Sequence, residues 1–441
     1  MPEIRPFRAL RYEPENVGDL GAVVAPPYDV IKPAEREVLV ARSPRNIVRL
    51  DLPVDERGDE PGDRYRRAAR TLAAWRSDGT FRKDPRPAIY VYEQTYRVPG
   101  TTQERRQRGF FGRLKLEHFG PGAGVVPHER TLAAPREDRY MLLRATGVNT
   151  SPVIGLYEDS DRRAPGLLAQ LADGSPAIDV RDDDGVRHRL WVVPTVEADA
   201  EGPGAVAGQL ISIAKQRPVL IADGHHRYET ALRYRDERRM TRSCEEDPAF
   251  DYILMLFLDA QETLTVLPTH RIGRDLPDDG RGFLERAREL FEVHPAQRVA
   301  LEHEFDRAAL APGGRGHFGL WTRDGGAFLE AKRDEFRRLV HAGSEALRSL
   351  DVTLAQAALD RLAGIDADAV AAGRLAYTRS AREALDAVDQ RTDGADCALL
   401  LEPTPVSAIA AASRGGDVMP QKSTYFYPKA LSGLLVNPLE W

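Results

Sequence analysis

Residues able to do chemistry are densest where Val219-Leu220-Ile221-Ala222 runs into Asp223-Gly224-His225-His226-Arg227. The apolar run after Pro218 has the composition of a buried strand, and Tyr228, Ala231, Leu232 and Arg235 then recur at helical spacing. One acid, one glycine, two imidazoles and one guanidinium thus fall at a strand-to-helix turn. A helix start carries N–H groups without intrahelical acceptors and a partial positive charge, both of which favour an anion. Arg227 adds a planar fork matched to phosphate or carboxylate. A phosphate-binding turn uses all five residues. Beside a phosphate, Asp223 has two possible tasks: holding Mg²⁺, or accepting a proton from an attacking hydroxyl. His225 and His226 would donate to phosphate oxygens, or one would serve as acid or base near neutral pH. The competing account is a capped helix, with Asp223 as N-cap and Gly224 for backbone freedom, which explains the residues singly. A histidine zinc site is the third account. Adjacent histidines at a helix start point about 100° apart, and the HExxH pattern is absent.

Two further segments carry reactive groups at similar density. Met419 through Lys429 sets Lys422, Ser423, Thr424 and Lys429 among aromatics, where Lys422 and Lys429 are candidate phosphate ligands. Its Lys-Ser-Thr lacks the glycines of a P-loop, and an exposed strand with core tyrosines explains it as well. His128-Glu129-Arg130-Thr131, followed by Arg136, Asp138 and Arg139, offers another acid–base or cationic group, or a salt-bridged loop. Asp29 sits just past the stiff Pro26-Pro27 pair, and His270-Arg271 repeats the His-Arg pairing at a strand end.

These residues need elements to hold them. Periodicity predicts helices over Arg64 to Ser77, His128 to Leu143 (from loop into helix), Leu167 to Leu171, Gly204 to Ala214, Phe283 to Phe291, Asp334 to Leu350 and Val406 to Ala412. Strands are predicted at Ile47 to Leu52, Ala88 to Arg97, Arg108 to Leu116, Ser151 to Tyr157, Tyr252 to Leu258, Thr263 to Pro268 and Ala398 to Leu401. Asp184-Gly185 predicts a hairpin between Ile178 to Asp182 and Val186 to Val193. Strands and helices intermix throughout, so the fold class is α/β or α+β. The expected division is an N-terminal mixed α/β region, 1–194, and a C-terminal α/β region, 195–441, that carries the site, or two such regions intertwined across that boundary.

The chain has 441 residues, 42% of them apolar and 29% charged, with a formal net charge of −6. Nothing in that balance advertises a nucleic-acid binder. Its two cysteines, Cys244 and Cys397, form no CxxC motif, so a disulfide framework or thiolate metal site is not expected. The N-terminus shows no signal-peptide core and no apolar run reaches membrane-spanning length. The expectation is a cytoplasmic protein with a small-molecule substrate and neither nucleic acid nor membrane as partner.

Pro26-Pro27-Tyr28-Asp29-Val30, His128-Glu129-Arg130-Thr131, Asn149-Thr150-Ser151-Pro152, Ile221 through Leu232, Leu267-Pro268-Thr269-His270-Arg271 and Met419 through Lys429 together resemble domain-of-unknown-function family 1015, found in bacteria and archaea. That resemblance runs over nearly the whole chain but implies no reaction. The Asp223-to-Arg227 block, with Ala231 following, is also similar to the strand-to-helix signature of the ParB/sulfiredoxin superfamily, which includes partition proteins and free L-serine kinases. This second resemblance implies that His225, His226 and Arg227 hold phosphate while Asp223 faces a hydroxyl or metal. The upstream acid of those kinases has candidates here in Glu197, Asp199 and Asp29. The expected function is a phosphotransferase for a small hydroxylated metabolite, free L-serine leading, with Mg²⁺ and a nucleotide or pyrophosphate donor. The alternatives are a ParB-like nucleotide-binding switch, against which the absence of a basic recognition helix counts, and a metal-dependent hydrolase.

Overall fold

A computed structural model describes residues 1–129, 133–195, 202–241, 246–306, 313–314 and 316–440, with side chains of the helix Ala133–Thr146 described from Arg136 onward. Arg130, Thr131, Glu197, Asp199, Cys244 and Trp441, all named above, lie outside the described residues.

The chain is a mixed α/β protein, as its intermixed periodicities imply. Its larger sheet has nine strands. Their order is Val125–Val126, Val219–Asp223, Val153–Tyr157, Tyr252–Asp259, Glu104–Lys115, Ala88–Arg97, Arg187–Pro194 and Ile178–Arg181, with Ile4–Arg5 added against Glu104–Lys115. Two neighbouring pairs are parallel: Val219–Asp223 with Val125–Val126, and Tyr252–Asp259 with Val153–Tyr157. The remaining pairs are antiparallel. All eight residues of Tyr252–Asp259 are buried, as expected for an unbroken apolar run in mid-sheet. This sheet takes strands from both sides of residue 195. A second, wholly antiparallel sheet of six strands runs Phe291–Ala296, Gly325–Ala331, His317–Thr322, Ala395–Leu401, His270–Arg274 and Leu375–Thr378.

The site helix, His225–Thr241, lies along the large sheet against the helix Ala133–Thr146. It buries Tyr228, Ala231 and Leu232, as their spacing predicts. The Tyr228 hydroxyl donates to the Glu117 carbonyl at 2.9 Å and accepts from the Glu117 N–H at 3.0 Å, which pins the helix to the loop after Glu104–Lys115. Burying such a side chain stabilises by about 1.5–3 kcal/mol.

Three predicted elements come out differently. Ile47 to Leu52 is a short helix, Val48–Asp51, rather than a strand. Short buried apolar runs do not declare their period, and here the Asn46 side-chain oxygen Oδ1 accepts from the Val48 N–H at 3.0 Å and starts a turn. Phe283 to Phe291 divides into the helix Phe283–Ala287 and a strand opening at Phe291. Asp334 to Leu350 divides into Arg333–Leu339 and Glu345–Arg348, separated near Gly343 at φ 82°, and the helical pattern resumes as Asp351–Ala363.

Candidate functional site

Strand Val219–Asp223 delivers Asp223 to the end of the large sheet, and Gly224 at φ 90° turns the chain into the helix. That conformation costs an L side chain about 1–2 kcal/mol. A Cβ there would also come within 3.0 Å of the Arg227 Nε. A cleft of about 430 Å³ opens in front of this turn. Asp29, Asp223, Gly224, His225, His226, Arg227, Glu129, Lys422 and Lys429 all line it. Tyr28, Lys32, Thr269, Tyr377, Arg379, Glu383, Thr424 and Tyr425 are also in its wall. Segments far apart in sequence thus converge on one space, Thr269 and Tyr377 coming from the side of the smaller sheet.

Asp223 is held between two cations. Its Oδ2 accepts from Arg227 Nη2 at 2.6 Å, and Lys429 Nζ donates to Oδ1. Burial alone would raise its pKa, but Lys429 and Arg227 outweigh that and hold it far below the usual carboxylate range. A carboxylate so stabilised is a poor proton acceptor, and its oxygens are already engaged. Asp223 thereby clamps two cations. Among the described residues no group of three or more His, Cys, Asp or Glu is placed to hold a metal ion. Arg227, also expected to face phosphate with its whole fork, gives Nη1 to the Pro152 carbonyl and Nη2 to Asp223.

Glu129 lines the same cleft. Its Oε1 accepts from the Lys422 N–H at 2.8 Å. Burial pushes its pKa up to about 7, against the pull of the Lys422 N–H and charge. A cleft-lining carboxyl poised near neutrality has the property a general base requires.

The histidines divide by role. His128 is wholly buried behind the cleft, with Nδ1 against the Ile221 carbonyl and Nε2 2.8 Å from the Thr424 hydroxyl. Burial holds it down to about 4, so the ring is neutral. A carbonyl only accepts, so Nδ1 carries the proton and Nε2 accepts from Thr424. His225 Nε2 in turn accepts the His128 N–H at 3.3 Å, which leaves Nδ1 as its donor. Burial also keeps His225 well below its usual pKa. His226, half-buried, lines the cleft, and burial lowers it too. His270 lies elsewhere: fully buried in the smaller sheet, its Nδ1 accepts from the Leu401 N–H at 3.1 Å.

Tyr28, Thr269, Tyr377, Arg379 and Glu383 were not singled out from the sequence. Pro26-Pro27-Tyr28 and Pro268-Thr269 lie inside quoted blocks, but Arg379 stands beside an ordinary helix cap, Ser380, and carries no signal of its own.

Fold and site define a mixed α/β protein with a cation-rich cleft at a strand-to-helix turn. The chain belongs to the family described as protein of unknown function (DUF1015), whose family model matches residues 4–353. No curated protein matches it. Among solved structures it is similar to a conserved hypothetical protein from Pyrococcus furiosus, at 13% identity and TM-score 0.32, over 69% of this chain and 87% of that one. It is similar also to a free serine kinase in complex with AMP, at 12% identity and TM-score 0.33, over 69% and 83% of the two chains. A third is SbnI with a C-terminal truncation from Staphylococcus aureus, at 11% identity and TM-score 0.36, over 72% and 84%. Among the described residues no helix is long and apolar enough to cross a membrane.

Proposed function

We propose that this protein transfers a phosphoryl group to the hydroxyl of a small metabolite, free L-serine being the first candidate, from a nucleotide or pyrophosphate donor. One observation carries the reading: a carboxyl titrating near 7 shares a cleft with two lysines and a helix N-terminus. Glu129 takes the hydroxyl proton as the acceptor oxygen bonds to the terminal phosphorus. The bond from that phosphorus to the bridging oxygen breaks, and the shortened phosphate leaves with the electron pair. Lys422, Lys429, the His225 and His226 donors and the first-turn N–H groups meet the charge on the transferred group. Asp223 keeps Lys429 and Arg227 in place and takes no proton.

The test is product formation from L-serine and other small hydroxylated acceptors, with ATP, ADP and pyrophosphate as donors. Glu129→Gln should lower turnover by about 10²–10⁴-fold, the usual worth of a positioned base, while donor binding persists. Undiminished turnover in that variant overturns the assignment.

A further inference from the structure

A second chamber of about 330 Å³ adjoins the cleft, and Val30, Arg379, Tyr425 and Lys429 line both. It differs from the first in balance: apolar side chains predominate, and four carboxylates stand beside three cations. Val24, Ile31, Leu39, Tyr427 and Leu431 give it apolar and aromatic walls, while Asp182 and Asp184 stand among its lining residues. Asp182 is committed in part, accepting the Val186 N–H at 2.8 Å and lying 3.0 Å from His188 Nε2. Asp183 pairs with Arg42 at 2.7 Å. Burial and the crowding of Asp182 raise the Asp184 pKa, with Arg379 opposing.

Carboxylates repel a second phosphate, so this chamber does not extend the anion site. It offers apolar faces for a planar ring and acceptor oxygens for ring or amino N–H groups. A bare pyrophosphate has nothing to fill it, and a serine-sized acceptor leaves most of it empty. The two cations common to both spaces, Lys429 and Arg379, stand where a phosphate chain would pass from one to the other. Tyr425 braces both: the Arg379 guanidinium lies 4.4 Å from its ring centroid and donates to its hydroxyl at 2.8 Å, and Lys429 Nζ lies 4.3 Å from the same centroid.

We infer that this chamber seats the base and sugar of a nucleoside phosphate, so that the donor is a nucleotide and not pyrophosphate. The inference rests on the phosphoryl-transfer reading above and narrows it. Base stacking on aromatic walls is sequence-tolerant and substantial, and the volume lies at the small end of known ligand pockets.

The test uses the full chain and two probes, ADP and inorganic pyrophosphate, titrated by calorimetry. Val38 lines the chamber from the helix Pro33–Arg42 and is 59% exposed, so Val38→Trp should fold while obstructing the space. Arg42→Trp, one turn along the same helix, is the second variant, and circular dichroism checks both. The expected result is ADP binding at least about tenfold tighter than pyrophosphate in the native chain. Each variant should lose about tenfold or more for ADP, with pyrophosphate changed less than about twofold. Equal affinities for the two probes, or ADP binding unaffected in both folded variants, overturns the chamber assignment. Transfer from pyrophosphate as fast as from nucleotides would overturn it too, while leaving phosphoryl transfer standing. ADP binding that the variants abolish, with no transfer from any donor, would uphold the chamber and sink the reaction.

Discussion

The acid at the centre of the sequence motif and the acid that fits the base's role are different residues. Asp223 is in the conspicuous block, yet two cations hold it ionised; Glu129 sits in a less specific block, yet burial brings it to about 7. Sequence shows residue type and neighbourhood but not desolvation, which is why Glu129 stood there as one acid–base candidate among several. Turnover should therefore rise with pH up to about 7 and level off above it, following Glu129 ionisation, and initial rates across pH 5–9 check this. The linked stability runs the other way. Between 4.5 and about 7 the folded chain holds a Glu129 proton that the unfolded chain has released, so stability falls as pH rises through that window. Glu129→Gln should flatten this part of the stability profile in denaturant titrations. Asp223→Asn acts on the clamp: with Arg227 10% and Lys429 10% exposed, it strands two cations. Losing one partner of a buried pair costs about 3–5 kcal/mol, so urea midpoint and turnover should fall together. A variant of native stability would show that Asp223 holds nothing.

At the scale of elements the pattern was legible wherever a period had room to declare itself. Arg64 to Ser77 appears as the helix Asp63–Ser77, Ala88 to Arg97 as a strand with those bounds, and Asp184-Gly185 as the hairpin tip. The failures are short or interrupted runs. Ile47 to Leu52 lacks the length to separate helix from strand, and Gly343 interrupts a helical pattern that continues on both sides. The strands His317–Thr322 and Gly325–Ala331 were not foreseen at all. Their turn runs through Arg323-Asp324-Gly325, an Asp-Gly signal like the one at Asp184-Gly185, but the strands on either side are short and glycine-interrupted. The strand-to-helix turn itself was readable because the apolar run breaks at Asp-Gly and a helical period follows it. Gly224→Ala tests that turn. It places a Cβ at positive φ and against Arg227, so we expect a lower melting temperature, consistent with about 1–2 kcal/mol of strain. Phosphate-donor affinity should also fall, since Arg227 must shift. Unchanged affinity with lowered stability would make Gly224 a backbone requirement only.

Over the whole molecule, the large sheet intertwines strands from both sides of residue 195. Val219–Asp223 pairs with Val125–Val126 and Val153–Tyr157, and Tyr252–Asp259 with Val153–Tyr157 and Glu104–Lys115, so the strands that aim the site depend on partners from the first 194 residues. Long-range pairing of this kind leaves no local trace, because each strand's alternation is satisfied by any partner of the right register. The cleft is equally distributed: Arg379, Lys422, Tyr425 and Lys429 lie beyond residue 353, where the family match ends. A fragment of residues 195–441 would leave Tyr252–Asp259, buried along its full length, without either neighbour. Its exposed apolar strand should drive aggregation. We expect that fragment to lack a cooperative urea transition and to bind no ADP, whereas co-expression with residues 1–194 should restore both. A soluble fragment that unfolds cooperatively on its own would mean that the smaller sheet and the site helix form an independent unit, with the large sheet assembled around them afterwards.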